Sequence, residues 1–79
     1  MKKFRYDPVE HVLSHEELGC HKTFGIRAYS FSGALWIDSG FVPDVSTDAA
    51  LVARLADRCT TYQLDPCHLQ DVVLDAISS

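Results

Sequence analysis

TYQLDPCHLQDVVLDA, residues 61–76, decides the second half of this chain, because it reads as one helix stopping and another starting. Proline disfavours the α conformation at the residue before it, so Asp65-Pro66 breaks the run. The same pair suits a new beginning. Pro66 fits a first helical position, where its missing N–H costs nothing, and Asp65 is placed to accept from the amide of His68. Beyond it, Leu69, Val72, Val73, Ala76 and Ile77 share one face by three- and four-residue steps, while Gln70, Asp71 and Asp75 look outward.

The helix that ends here begins in PDVSTDAALVARLADRCTTYQL, residues 43–64. Ser46 reads as its N-cap, with Asp48 favoured in the first turn by the macrodipole. Leu51, Val52, Leu55, Ala56, Cys59 and Tyr62 form the apolar stripe, opposite Arg54, Asp57 and Arg58. So short a connection makes the two helices antiparallel neighbours.

Upstream, the period changes. KTFGIRAYSFSGALWIDSGFVP, residues 22–43, is dense in aromatic and β-branched residues and predicts a pair of strands joined at Ser32-Gly33. Gly25, Ser39 and Gly40 mark points where a strand bulges or another backbone comes close. Pro43 cannot donate to a ladder, so the second strand either stops there or runs along an edge. YDPVEHVLSHEELG, residues 6–19, supports two readings. Asp7-Pro8-Val9-Glu10 has a capping-box pattern with Gly19 as a C-terminal cap, yet His11, Leu13 and His15 also alternate as in a strand.

The expectation is therefore one α+β domain over 1–79, mainly β over 1–45 and two helices over 46–79. A small antiparallel sheet of about three strands is covered on one face by the C-terminal helical hairpin. Phe24 or Tyr29, Trp36, Ile37, Leu51, Leu55, Cys59, Leu69, Val72, Val73 and Ile77 are expected in the core.

Three stretches also resemble a known pattern: TFGIRAY, DVSTD and LDPCHLQDVVLDAI. In order, they are similar to an uncharacterised family of small bacterial proteins found mainly in Firmicutes. That family has Tyr-Gly-Ile, then Asp-x-Ser-x-Asp, then Leu-x-Pro-x-His-Leu-x-x-Val-x-x-Asp. Gly25, Asp44, Ser46, Pro66, His68, Leu69, Val72 and Asp75 occupy the motif positions. Phe24 stands in place of the family's tyrosine, and Ala76-Ile77 in place of a more acidic and aromatic ending. The resemblance covers the last two-thirds of the chain. It implies an α+β domain with a strand before Gly25, which favours β for residues 9–15, and it implies no activity.

Composition excludes several functions. Seventy-nine residues, 47% of them apolar, suit one globular domain. A domain this small buries only about 60% of its unfolded surface, so a homo-oligomer or a protein partner is expected. The net charge of −4 is concentrated after residue 30, where Arg54 and Arg58 face seven aspartates. That balance repels a phosphate backbone. Residues 66–77 contain no Lys or Arg, so the paired helices do not read as a helix-turn-helix, and no nucleic-acid partner is expected. No segment approaches the ~20 apolar residues of a membrane span. Three cysteines without framework spacing predict a reduced, soluble, cytoplasmic protein.

The remaining chemistry sits on Cys20-His21, Cys59, Cys67-His68, His11 and His15. Adjacent Cys-His pairs point apart on helix and strand alike, so neither pair chelates well. His11 and His15 share a metal only on a helix; on a strand they stand about 13 Å apart. Cys67 lies in a first helical turn, where exposed amides lower a thiol pKa, but His68 beside it does not face it. Asp71 and Asp75, one turn apart, read as a solvated face. No catalytic, cofactor-binding or metal-ligating residue is assigned, and no cofactor is expected. The favoured expectation is a non-catalytic binding or assembly module with Tyr29, Phe31, Phe41 and His68 as its interaction surface. Exposed aromatics among Phe4, Tyr6, Tyr29, Phe31 and Phe41 should then form one patch. The rival is a small metal-dependent or thiol-based enzyme or sensor.

Overall fold

The structure, a computed structural model, describes residues 3–17 and 19–78, without the side chains of His15 and Ser78. Strands β1 (Phe4–His15), β2 (Gly19–Phe31) and β3 (Trp36–Ser46) form one antiparallel sheet in the order β1-β2-β3. Helix α1 (Ala49–Thr61), a 3₁₀ turn (Pro66–His68) and helix α2 (Leu69–Ser78) follow. The α+β architecture is the one expected.

Residues 6–15 are strand, which resolves the open alternative. Pro8 is tolerated because even-numbered residues of β1 turn their backbone groups to the outer edge, where no ladder N–H is needed. That parity is fixed by α1. Thr60 Oγ1 accepts from Tyr6 N at 3.0 Å, and the Gln63 side-chain amide bonds both backbone groups of Phe4. As a strand, the segment does not set His11 and His15 one helical turn apart, and the His15 side chain lies outside the described residues.

The β2–β3 connection is wider than the expected two residues. Ser32 to Leu35 close it: Ser32 N donates to Leu35 O at 2.9 Å, Ser32 Oγ accepts from Leu35 N at 3.3 Å, and Gly33 has φ 95°. Serine's hydroxyl serves the loop as a second backbone, so two further residues fit. β3 continues past Pro43 as an edge strand, one of its two expected courses. Its register slips between Ala28 and Tyr29, where Ser39 is extra, and again between Phe24 and Ile26. In the second slip Asp44 takes φ 51°.

The helices cover the face bearing Tyr6, Ile26 and Ala28, which join Val45, Val52, Leu55, Ala56, Cys59, Leu69 and Val73 in the core. Phe24, Leu51 and Val72 pack at its margin. Three expected core residues are exposed instead. Trp36 stands on the opposite face, Ile37 lies near the hairpin tip at 49% exposure, and Ile77 is 48% exposed. α2 rests on β3, a single edge strand that holds Leu69 and Val73 but not the next turn. Tyr62 does not continue the α1 stripe either; it is the C-cap of α1 and 78% exposed.

Both helix starts differ in detail from expectation. Asp48, not Ser46, caps α1, accepting from Ala50 N at 3.0 Å and Leu51 N at 3.3 Å. Ser46 Oγ is engaged with Asp48 N, which shifts the cap two residues on. Asp65 accepts from Cys67 N at 3.1 Å rather than from His68, whose N–H goes to the Asp65 carbonyl. That i to i+3 bond is why a 3₁₀ turn precedes α2.

Candidate binding face

Directly opposed residues of antiparallel strands share a face. Arg5, Asp7 and His11 of β1 oppose Tyr29, Arg27 and Thr23 of β2, and Arg27 and Phe31 oppose Phe41 and Trp36 of β3. These residues therefore make up the face that the helices leave open.

Aromatic rings and guanidinium groups interleave across it. Phe31 and Trp36 lie 5.2 Å apart between ring centroids. The Arg5 guanidinium stands 5.3 Å from the Tyr29 ring and 5.9 Å from that of Trp36. Arg27 lies 4.5 Å over Phe41, and His11 meets the same ring edge-on at 6.0 Å. Each guanidinium is attracted by the negative ring face. Each is also anchored by a carboxylate, Arg5 by Asp7 at 2.7 Å and Arg27 by Asp38. Exposed ion pairs contribute little stability themselves. Their effect here is geometric: they fix two planar cations against the rings and leave the face with balanced charge. The Asp7 carboxylate also raises the Arg5 pKa, chiefly through their hydrogen bond.

The β3 bulge curls over this face at its middle. A Cβ on Gly25 would meet Val42 O at 2.5 Å and the Phe41 ring at 3.0 Å, so only glycine admits the crossing. Asp44 ties the three strands together there. Its N–H donates to His11 Nε2 at 3.1 Å, and its Oδ1 accepts from Thr23 Oγ1 at 2.7 Å. Thr23 is fully buried beneath it. Histidine, aspartate and a hydroxyl thus meet, but not as a nucleophile and base. The hydroxyl donates to a carboxylate, and the imidazole lone pair is spent on an amide. The trio locks the bulge.

Of the expected surface, Tyr29, Phe31 and Phe41 come together on the open face. His68 belongs to the helical layer on the other side of the sheet. The aromatic set divides likewise: Tyr6 is buried and Phe4 packs against the core. The sequence reading missed Arg5, Arg27 and Trp36. The alternation Arg27-x-Tyr29-x-Phe31 signals the β2 part, whereas the place of Arg5 needs the β1–β2 register.

The cysteines take separate places. Cys67 was expected to feel the helix amides; instead its bond to the Asp65 carboxylate pushes its thiol pKa up. Burial does the same to Cys59. Cys20 lies on the β1–β2 arm, its Sγ 3.9 Å from Ser14 Oγ. Among the described residues, no three His, Cys, Asp or Glu side chains converge as a metal site. No helix there is long and apolar enough to cross a membrane. A groove of about 390 Å³ separates α1 from α2, with Cys59, Tyr62 and Val72 in its walls. Compared with family models, curated proteins and solved structures, the chain matches none.

Proposed function

We propose that the chain is a non-catalytic binding or assembly module that acts by protein contact through the open face of its sheet. One observation carries this reading: Tyr29, Phe31, Trp36 and Phe41 lie on one face with two arginines stacked among them. Trp, Tyr and Arg dominate the energetics of protein interfaces, and rings already held in place lose little entropy on binding. Both arginines of the face have carboxylate partners, which favours a protein over a polyanion. The raised pKa of Cys67 weighs against a thiol enzyme, since the thiolate is the nucleophile. Three cysteines without framework spacing suit a reducing, cytoplasmic setting.

Photo-crosslinking in cells tests this. A photoreactive side chain placed at Phe41 should give discrete protein adducts, while the same group at Leu74, exposed on α2, should give few. Equal yields from the two positions, or none from Phe41, contradict the reading.

A further inference from the structure

We infer that the occupant of the open face is a second copy of this chain, packed sheet against sheet about a two-fold axis. The inference rests on the binding-module reading above and names its partner.

Three features select this partner. The first is that the sheet edges beside the aromatic face are obstructed. Gln63 and Thr60 fill the outer edge of β1 at Phe4 and Tyr6. β3 carries two register slips and Pro43. Bulges, prolines and covering groups all hinder strand addition, so beside the aromatic residues continued pairing is disfavoured and contact through the face is favoured.

The second feature is charge. A two-fold contact sets a patch against itself, so a patch dominated by one sign repels its own copy. Here Arg5 pairs with Asp7 and Arg27 with Asp38, all on one face. Such a patch opposes neither itself nor its image, whereas it gives a polyanion no unpaired arginine.

The third is size. At about 4.8 Å between strands and 3.3 Å per residue, the three-stranded part measures about 14 by 26 Å. The β1–β2 arm beyond Phe24 adds at most about 10 by 17 Å, part of it already under the β3 crossing at Thr23. Even with standing side chains the contact lies below the ~800 Å² per partner of a standard interface, as suits a reversible dimer. Two such faces at about 10 Å separation make a sandwich with helices on both outer sides. Trp36, Phe31 and Phe41 supply the interdigitating rings.

Sedimentation of the purified full chain across a wide concentration range tests the inference, together with emission from Trp36, its one tryptophan. The expected result is a reversible shift from 8.8 kDa to twice that mass, with Trp36 emission moving to the blue as the dimer forms. Phe41→Asp and Arg27→Glu should each weaken dimerisation by about tenfold or more, and Leu74→Asp by less than about twofold. Circular dichroism identifies any variant that fails to fold, and the wild-type emission shift needs no variant. A monomer at every concentration overturns the second-copy inference. If Phe41 still crosslinks to a different protein, the binding-module reading survives; if it crosslinks to nothing, both fall. A dimer indifferent to Phe41→Asp and Arg27→Glu, or one whose formation leaves Trp36 emission unmoved, lies on another surface and also overturns the inference.

Discussion

The side-chain amide of Gln63 stands beside Phe4 as the backbone of a fourth strand would. Nε2 donates to Phe4 O and Oε1 accepts from Phe4 N, both at 3.0 Å, while Oε1 also accepts from Lys3 N at 2.7 Å. One residue just past α1 thus ties the helical layer to the sheet and closes part of an edge. Gln63→Ala should lower unfolding stability by about 1–3 kcal/mol, because it strands partly buried backbone groups. Urea unfolding followed by circular dichroism checks this. An unchanged midpoint would mean that water replaces the amide without loss.

Gly25 and Gly40 should respond oppositely to the same change. A methyl on Gly25 runs into the Val42 carbonyl and the Pro43 Cα, both backbone atoms with little freedom to yield. Gly25→Ala should cost about 1–3 kcal/mol, as overpacking does. Gly40 has open space around it, so Gly40→Ala should stay within about 0.5 kcal/mol. Thermal melts of the two variants side by side decide the point, and similar losses would contradict the close crossing.

Alkaline stability should follow Tyr6. Burial raises its hydroxyl pKa above the ordinary value of 10.0, and the hydroxyl donates to the Leu64 carbonyl. A raised folded value means that the stabilisation is whole below the unfolded pKa and is lost as pH climbs past about 10 toward the folded one. Absorbance titration of the three tyrosines should show one phenol withheld until the fold gives way. Tyr6→Phe should remove that step and cost about 1 kcal/mol at neutral pH through the lost bond.

Thiol chemistry offers a further check. Asp65 holds the Cys67 pKa up, and Cys67 in turn lowers that of Asp65 through its backbone N–H and its thiol. In a Cys20→Ser background, alkylation at pH 7 should be slow, and Asp65→Asn should speed it by returning the thiol toward its ordinary acidity. Fast alkylation without Asp65→Asn would revive the enzyme reading.

The helical half was legible where one signal acted alone. Asp65-Pro66 breaks and restarts the chain as its chemistry requires, and Leu55, Cys59, Leu69 and Val73 are buried on the stripes that periodicity gives. The sheet half was legible in class and less so in side. Trp36 and Ile37 look like core by composition, yet adjacent strand residues point to opposite faces, and neither lies under a helix. Which face the helices take depends on register, on bulges at Ser39 and Asp44, and on the Gln63–Phe4 contact. None of these is local in sequence. The open face was half visible for the same reason: Tyr29, Phe31 and Phe41 alternate within their strands, but Arg5 reaches Tyr29 only across a hairpin of twenty-odd residues. His68 sits, exposed, in the turn that launches α2, and what separates it from the aromatic set is the side of the sheet on which that turn lies.

The most direct measurement is hydroxyl-radical footprinting inside expressing cells, comparing two exposed aromatic residues on opposite sides of the molecule. Trp36 on the open face should be protected relative to the folded, purified chain at monomeric dilution, and Tyr62 on the helical side should be oxidised equally in both. Trp36 oxidised as readily in cells as in the dilute purified chain would show that nothing covers the sheet, and the proposed contact surface would have to be abandoned.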